Sequence, residues 1–96
     1  MFIQVIDFKT DRIEEGQAHV DEYRANTAGR RTARRAILAQ DRDNPGRYFN
    51  IVFFDSYEDA MKNSEMPETQ KLSEALMGLG DGLPTFVNLD VLTDQT

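Results

Sequence analysis

Tyr48-Phe49-Asn50-Ile51-Val52-Phe53-Phe54 is the stretch on which the fold of this chain turns. Aromatic and β-branched side chains of this kind fit a pleated strand. Successive side chains of a strand point to opposite faces. Phe49, Ile51 and Phe53 therefore share one face, and Tyr48, Val52 and Phe54 share the other. An antiparallel sheet with one wet face alternates apolar and polar. Here both faces are apolar, so both need a cover.

Upstream, Asp41-Arg42-Asp43-Asn44-Pro45-Gly46 reads as a turn, with Pro45 and Gly46 at the two central positions of type II. It makes a hairpin with a strand from Thr32 to Gln40. Downstream, Ser56 starts a helix, and Asp59 three residues on resembles a capping box. Pro67 breaks that helix near Met66. Leu72, Ala75, Leu76 and Leu79 form the apolar stripe of its second segment, which Gly78, Gly80 and Gly82 end.

At the front, residues 2–8 read as a strand, and Thr10 or Asp11 caps a helix. Ile13, Val20, Tyr23 and Thr27 recur there near a 3.6 period, Gly16 and Gln17 fill the same face, and Gly29 is the stop. The last strand covers Thr85 to Leu92. Thr85, Val87, Leu89 and Val91 make one stripe of it, with Phe86 and Leu92 opposite.

The order is β-α-β-β-α-β. It predicts a ferredoxin-like α+β domain spanning residues 1–96, an antiparallel four-stranded sheet with two helices on one face. Two helices cover one face only. The economical cover for the other is a second copy about a two-fold axis, a homodimer whose two sheets close a dimeric α+β barrel. The alternative is a monomer whose tail folds over the sheet.

Composition narrows the function classes. The chain has no cysteine, which excludes disulfides and thiolate metal sites and fits a reducing compartment. With a single histidine as well, no metal is expected. Phe2-Ile3-Gln4-Val5-Ile6-Asp7 lacks a basic leader and is too short and polar for a membrane span, so the expected location is cytoplasmic, with no membrane partner. A net charge of −6 disfavours nucleic acid. The arginines are nevertheless concentrated mid-chain, at 24, 30, 31, 34, 35, 42 and 47. Gly78-Leu79-Gly80-Asp81-Gly82 follows a helix instead of opening one, so it is no phosphate cradle.

The run from Gly46-Arg47-Tyr48-Phe49 through Phe54-Asp55-Ser56 to Lys62-Asn63-Ser64 resembles the antibiotic biosynthesis monooxygenase-like domains of the dimeric α+β barrel superfamily. The shared pattern is a strand ending in Phe-acid-Ser, a helix with an Asn-Ser pair, and a proline just after it, here Pro67. The element order matches over essentially the whole chain. Members of that superfamily include cofactor-free oxygenases, haem degraders and many proteins of no known activity, so the resemblance implies the fold more closely than the activity. Haem-degrading members ligate iron through a histidine on the second helix and use a tryptophan. This chain has no tryptophan, and its only histidine, His19, falls on the first helix, so haem degradation is rejected. Cofactor-free members deprotonate a phenolic substrate and let the anion react with oxygen, in pockets combining Asn, Trp, Tyr and Arg. Asn63 matches the helix asparagine, and the tryptophan is missing. The expectation is a monooxygenase using no cofactor on a small hydroxylated aromatic, with a non-catalytic ligand-binding, structural or stress-related dimer as the alternative.

The candidate site follows. Asn63, Tyr23 and His19 are the catalytic candidates, His19 as a base because imidazole titrates near neutrality. Gln4, Asn50 and Asn88 are single amides in apolar strands, and an unpaired buried amide costs about 1–3 kcal/mol. They line a ligand pocket, or they pair with one another or sit at a wet sheet edge. Arg31 and Arg35, on one face of a strand, are candidates for anion binding, since guanidinium grips carboxylates bidentately. Ion pairing with the acidic excess is the competing account.

Overall fold

In the computed structural model, which describes residues 1–95, the third strand organises the sheet. β3 (Arg47–Phe54) pairs antiparallel with β1 (Phe2–Lys9) on one side and β2 (Ala33–Gln40) on the other, and β4 (Thr85–Asp90) pairs with β1. The sheet order is β2-β3-β1-β4. The β2–β3 hairpin closes as the sequence predicts. Arg47 N–H donates to Asn44 O at 3.1 Å around Pro45 and Gly46, and Gly46 has the positive φ of +98° that the third residue of a type II turn requires.

Helices α1 (Ile13–Asn26), α2 (Tyr57–Glu65) and α3 (Pro67–Met77) form one layer. The element after β3 is thus two helices. Met66 between them is extended (φ −64°, ψ 134°) because Pro67 cannot continue the α2 hydrogen-bond ladder, and Pro67 suits the first turn of α3. Ser56 caps α2, its Oγ accepting from Asp59 N–H at 3.1 Å. At α1 the expected cap is displaced. Arg12 occupies the N-cap position without a side-chain cap bond. Thr10 is buried instead, its hydroxyl accepting from Arg12 N–H and donating to Leu79 O at 2.8 Å. The hydroxyl of Thr10 therefore ties the start of α1 to the loop that ends α3. Gly16 is the buried contact of α1, and a Cβ there would touch Leu76 at 3.5 Å, so α1 and α3 pack closely. Gln17, expected on that face, is exposed.

Phe2, Phe54 and Ala60 form the buried core, with Ala33, Val52 and Met61 packed against it. Phe2 stands directly opposite Phe54, their ring centroids 6.3 Å apart. This cluster fixes which sheet face the helices cover. Residues paired across an antiparallel sheet share a face. Gln4, Ile6, Asn50, Val52, Phe86 and Asn88 are therefore on the helix side. Ile3, Val5, Ile37, Ile51, Phe53, Val87 and Leu89 form the opposite face, which no helix covers. The chain exposes 6886 Å², about 1,300 Å² more than the ~5,600 Å² that size scaling gives a monomer of 11.0 kDa. No helix among the described residues is long and apolar enough to cross a membrane.

The last strand stops at Asp90, two residues short of expectation, although Val91 N–H still reaches Met1 O at 3.0 Å. Since Phe54 joins sheet to helices, Phe54→Ala should cost about 3–5 kcal/mol in urea unfolding, whereas Leu92→Ala, at 91% exposed, should leave the midpoint in place.

Candidate functional site

α1 carries Tyr23 on the same stripe as Val20 and Thr27, so its ring points into the helix layer. Thr27 anchors this turn. It is fully buried, and its hydroxyl and amide both donate to Tyr23 O, at 2.7 and 3.0 Å. The phenolic oxygen of Tyr23 then lies 2.9 Å from Thr69 Oγ1 in the first turn of α3 and 3.4 Å from Asn63 Oδ1 in the last turn of α2. The break at Pro67 is what brings Asn63 and Thr69 to one hydroxyl from two different helices. A phenol has a single proton to give. When the Thr69 hydroxyl donates to Tyr23, the Tyr23 proton is free for Asn63. All three side chains are half-buried, where a hydrogen bond is stronger than in water.

Of the predicted catalytic residues, the structure brings together Tyr23 and Asn63. His19 sits one helical turn before Tyr23 but is exposed. Thr69 was missed in the sequence. Its signal was there, because Thr69, Leu72 and Leu76 share one helical stripe.

The amides occupy the helix side of the sheet. Gln4 and Asn88 are directly opposite each other on β1 and β4, and Gln4 Nε2 donates to Asn88 Oδ1 at 3.4 Å. This is the mutual pairing that the sequence left open, at a length that leaves it weak. Asn50 stands opposite Ile6 and Leu38 and is half-buried. Phe86, also opposite Ile6, is 54% exposed, so the helices leave the sheet open along β4.

The arginines part company. Arg31 and Arg35 were expected to share a strand face. Arg31 instead precedes β2, and an irregularity between Ala33 and Arg35 shifts the register. The Nε of Arg31 is shielded from solvent without a hydrogen-bond partner. The guanidinium of Arg35 lies 5.9 Å from the Phe53 ring centroid on the uncovered face. Arg30 pairs with Glu68 at 2.9 Å, and Arg34 Nε donates to Asp55 at 2.8 Å.

On the uncovered face, Arg47 grips Asp7 with two bonds, at 3.1 and 2.7 Å, and reaches Asp41 at 3.5 Å. Beside them opens a shallow cleft of about 500 Å³, lined by Asp7, Lys9, Arg47, Asp81, Leu83 and Thr85. No three histidine or carboxylate side chains among the described residues come together as a metal site.

Hydrogen bonding to arginine holds several carboxyls below the usual carboxylate range: Asp7 through Arg47, Asp55 through Arg34 and Glu15 through Arg12. Glu68 is lowered first by its own backbone N–H and then by Arg30. A depressed folded pKa contributes stability above the unfolded value, and that contribution is lost as pH falls through the folded value. Thermal stability should therefore stay level from neutrality to about pH 5 and fall below about pH 4. In Asp7→Asn the acid-side loss should be smaller, read as melting temperature against pH.

No family model and no curated protein matches this sequence. Solved structures do match its fold over nearly the whole length. A Caulobacter crescentus protein provisionally named an antibiotic biosynthesis monooxygenase superposes with a TM-score of 0.83 at 14% identity, over 96% of this chain and 90% of that one. SnoaB from Streptomyces nogalater, described as a cofactor-independent oxygenase, gives 0.81 at 16% identity, over 97% and 94%. A conserved protein from Methanosarcina mazei gives 0.79 at 10% identity, over 93% and 91%. At such identities the likeness is one of fold.

Proposed function

From the fold it shares with antibiotic biosynthesis monooxygenase domains, we propose that this chain is a cytoplasmic homodimer that binds a small hydroxylated aromatic between helix layer and sheet and oxygenates it without a cofactor. The observation that carries this reading is the Tyr23–Asn63–Thr69 cluster, a half-buried hydrogen-bonding group that ties three helices to one phenolic oxygen. Tyr23 and Asn63 hold the ligand hydroxyl and stabilise its anion. His19, exposed one turn back, accepts the proton and returns it to solvent. The weak Gln4–Asn88 pair opens to accept a second ligand oxygen, with Asn50 beside it. Arg31, whose Nε has no hydrogen-bond partner, stands by as the anion-binding residue for an acidic substituent, whereas Arg35 lies on the opposite face of the sheet from this ligand. In the reaction a ring C–H activated by the hydroxyl becomes C=O. Dioxygen supplies that oxygen atom, and its other atom leaves as water with the two hydrogens the phenol gives up. The phenol is thereby oxidised to a quinone, and dioxygen is reduced by the same four electrons.

A second reading, binding without catalysis, draws on the exposure of His19 and on the absence of tryptophan. Oxygen-electrode measurements with phenols and naphthols separate the two. Substrate-dependent uptake is expected, reduced about 100-fold or more in Asn63→Ala and in Tyr23→Phe, and reduced in His19→Ala as well, with recovery as pH rises and hydroxide replaces the missing base. Uptake that is absent, combined with ligands that raise the melting temperature, would favour binding alone.

The dimer is supported by the uncovered apolar face and the excess exposed area, since a stable interface buries about 800 Å² on each partner. Light scattering should give twice the 11.0 kDa of one chain, and a mass of one chain at all concentrations would remove this part of the reading.

A further inference from the structure

Two charged side chains break the apolar stripes of the uncovered face, and they do so together. Asp7 continues Ile3 and Val5 along β1, and Arg47 precedes Phe49, Ile51 and Phe53 along β3. Both lie at the same end of the sheet. Arg47 spans them, with Asp7 on one side, Asp41 of the hairpin on the other, and its guanidinium 4.9 Å from the Phe49 ring centroid. At 36%, 25% and 23% exposed, Arg47, Asp7 and Asp41 are the most sheltered arginine and the two most sheltered acids among the ion pairs of the described residues.

The other charges around this point balance the cluster. Lys9 on β1 adds a positive charge close enough to lower Asp7. Asp7 and Asp41 against Arg47 and Lys9 leave no net charge. Asp81, across the cleft, is exposed and keeps its carboxylate in water. Asp41 is fixed in place, because its Oδ1 accepts from Asp43 N–H at 2.9 Å and its own N–H donates to Arg47 O at 2.9 Å. A cluster that is neutral, internally bonded and laid against an aromatic ring can be covered at lower cost than separate charges.

We propose that the Asp7–Arg47–Asp41 network belongs to the contact between two copies of this chain and sets how they dock, as a preformed polar anchor beneath the partner at one end of the apolar face. This rests on the self-association reading above and deepens it. The excess exposed area is of the size a stable dimer needs. An intact network is accepted under the partner. Removing one member leaves the other charge uncompensated in the contact, which is the costly case. The network thus makes self-association depend on both charges at once, and it resists apolar surfaces that bring no room for it.

Sedimentation equilibrium on the full chain tests this with three proteins: the natural sequence, Arg47→Met, and Asp7→Val with Arg47→Met. The single variant should weaken the dimer by at least about thirtyfold. The double variant should recover to within about tenfold of the natural sequence, because it removes both members of the bidentate pair and leaves only Asp41, held by the hairpin, without its arginine. Melting temperatures at dilutions where each protein is monomeric provide the control. A pair that only stabilises the single chain lowers that temperature and leaves the dissociation constant alone. If the natural chain dimerises and Arg47→Met dimerises equally well, the network lies outside the contact and this proposal fails while the dimer stands. If the natural chain is a monomer at every concentration, both fail.

Discussion

The structure depends on a strand that is apolar on both faces. β3 packs Phe54 and Val52 into the core beneath α2 and carries Phe49, Ile51 and Phe53 on the other side. Each fully buried side chain of this size is worth about 1.5–3 kcal/mol. The helix layer collects that gain on one side only. The single chain therefore folds around a small core, Phe2, Phe54 and Ala60, while a second apolar surface of comparable quality stays in water. A domain of this size has little interior to spare, and its uncovered sheet face carries an apolar patch with two charges paired at one end.

The same economy shapes the helix layer. One long helix after β3 would place its side chains along a single axis. The break at Pro67 gives two axes, so Asn63 at the end of α2 and Thr69 at the start of α3 both reach the Tyr23 hydroxyl. Thr27 holds the turn of α1 that presents it. A polar group shared by three helices orders the layer and at the same time keeps hydrogen-bonding atoms half-buried, at a position where the layer need not be apolar to be stable. Architecture and candidate chemistry thus come from one feature, the proline.

How much of this was legible follows from how local each cause is. The β3 alternation, the Pro45-Gly46 turn and the Pro67 break are written in adjacent residues, and all three appear where the sequence puts them. The irregularity in β2 was not legible. A shift between Ala33 and Arg35 is decided by how β2 meets Phe53 and Phe54 across the sheet, and nothing in Ala33-Arg34-Arg35-Ala36 marks it. The two arginines lost their common face for that reason. Thr10 looked like a helix cap because threonine commonly caps, but its partner, Leu79 O, lies 69 residues away. Gln4 and Asn88 were visible as isolated amides, yet their direct opposition needed the β1–β4 register.

The comparison with solved structures makes the same distinction from the other direction. Identities of 10 to 16% accompany TM-scores near 0.8, so the fold tolerates replacement of most side chains. Chemistry is set by far fewer residues, and these are free to vary within the same fold. In this chain the polar side chains that meet are a phenol, an amide and a hydroxyl in the helix layer, and a loose amide pair on the helix side of the sheet.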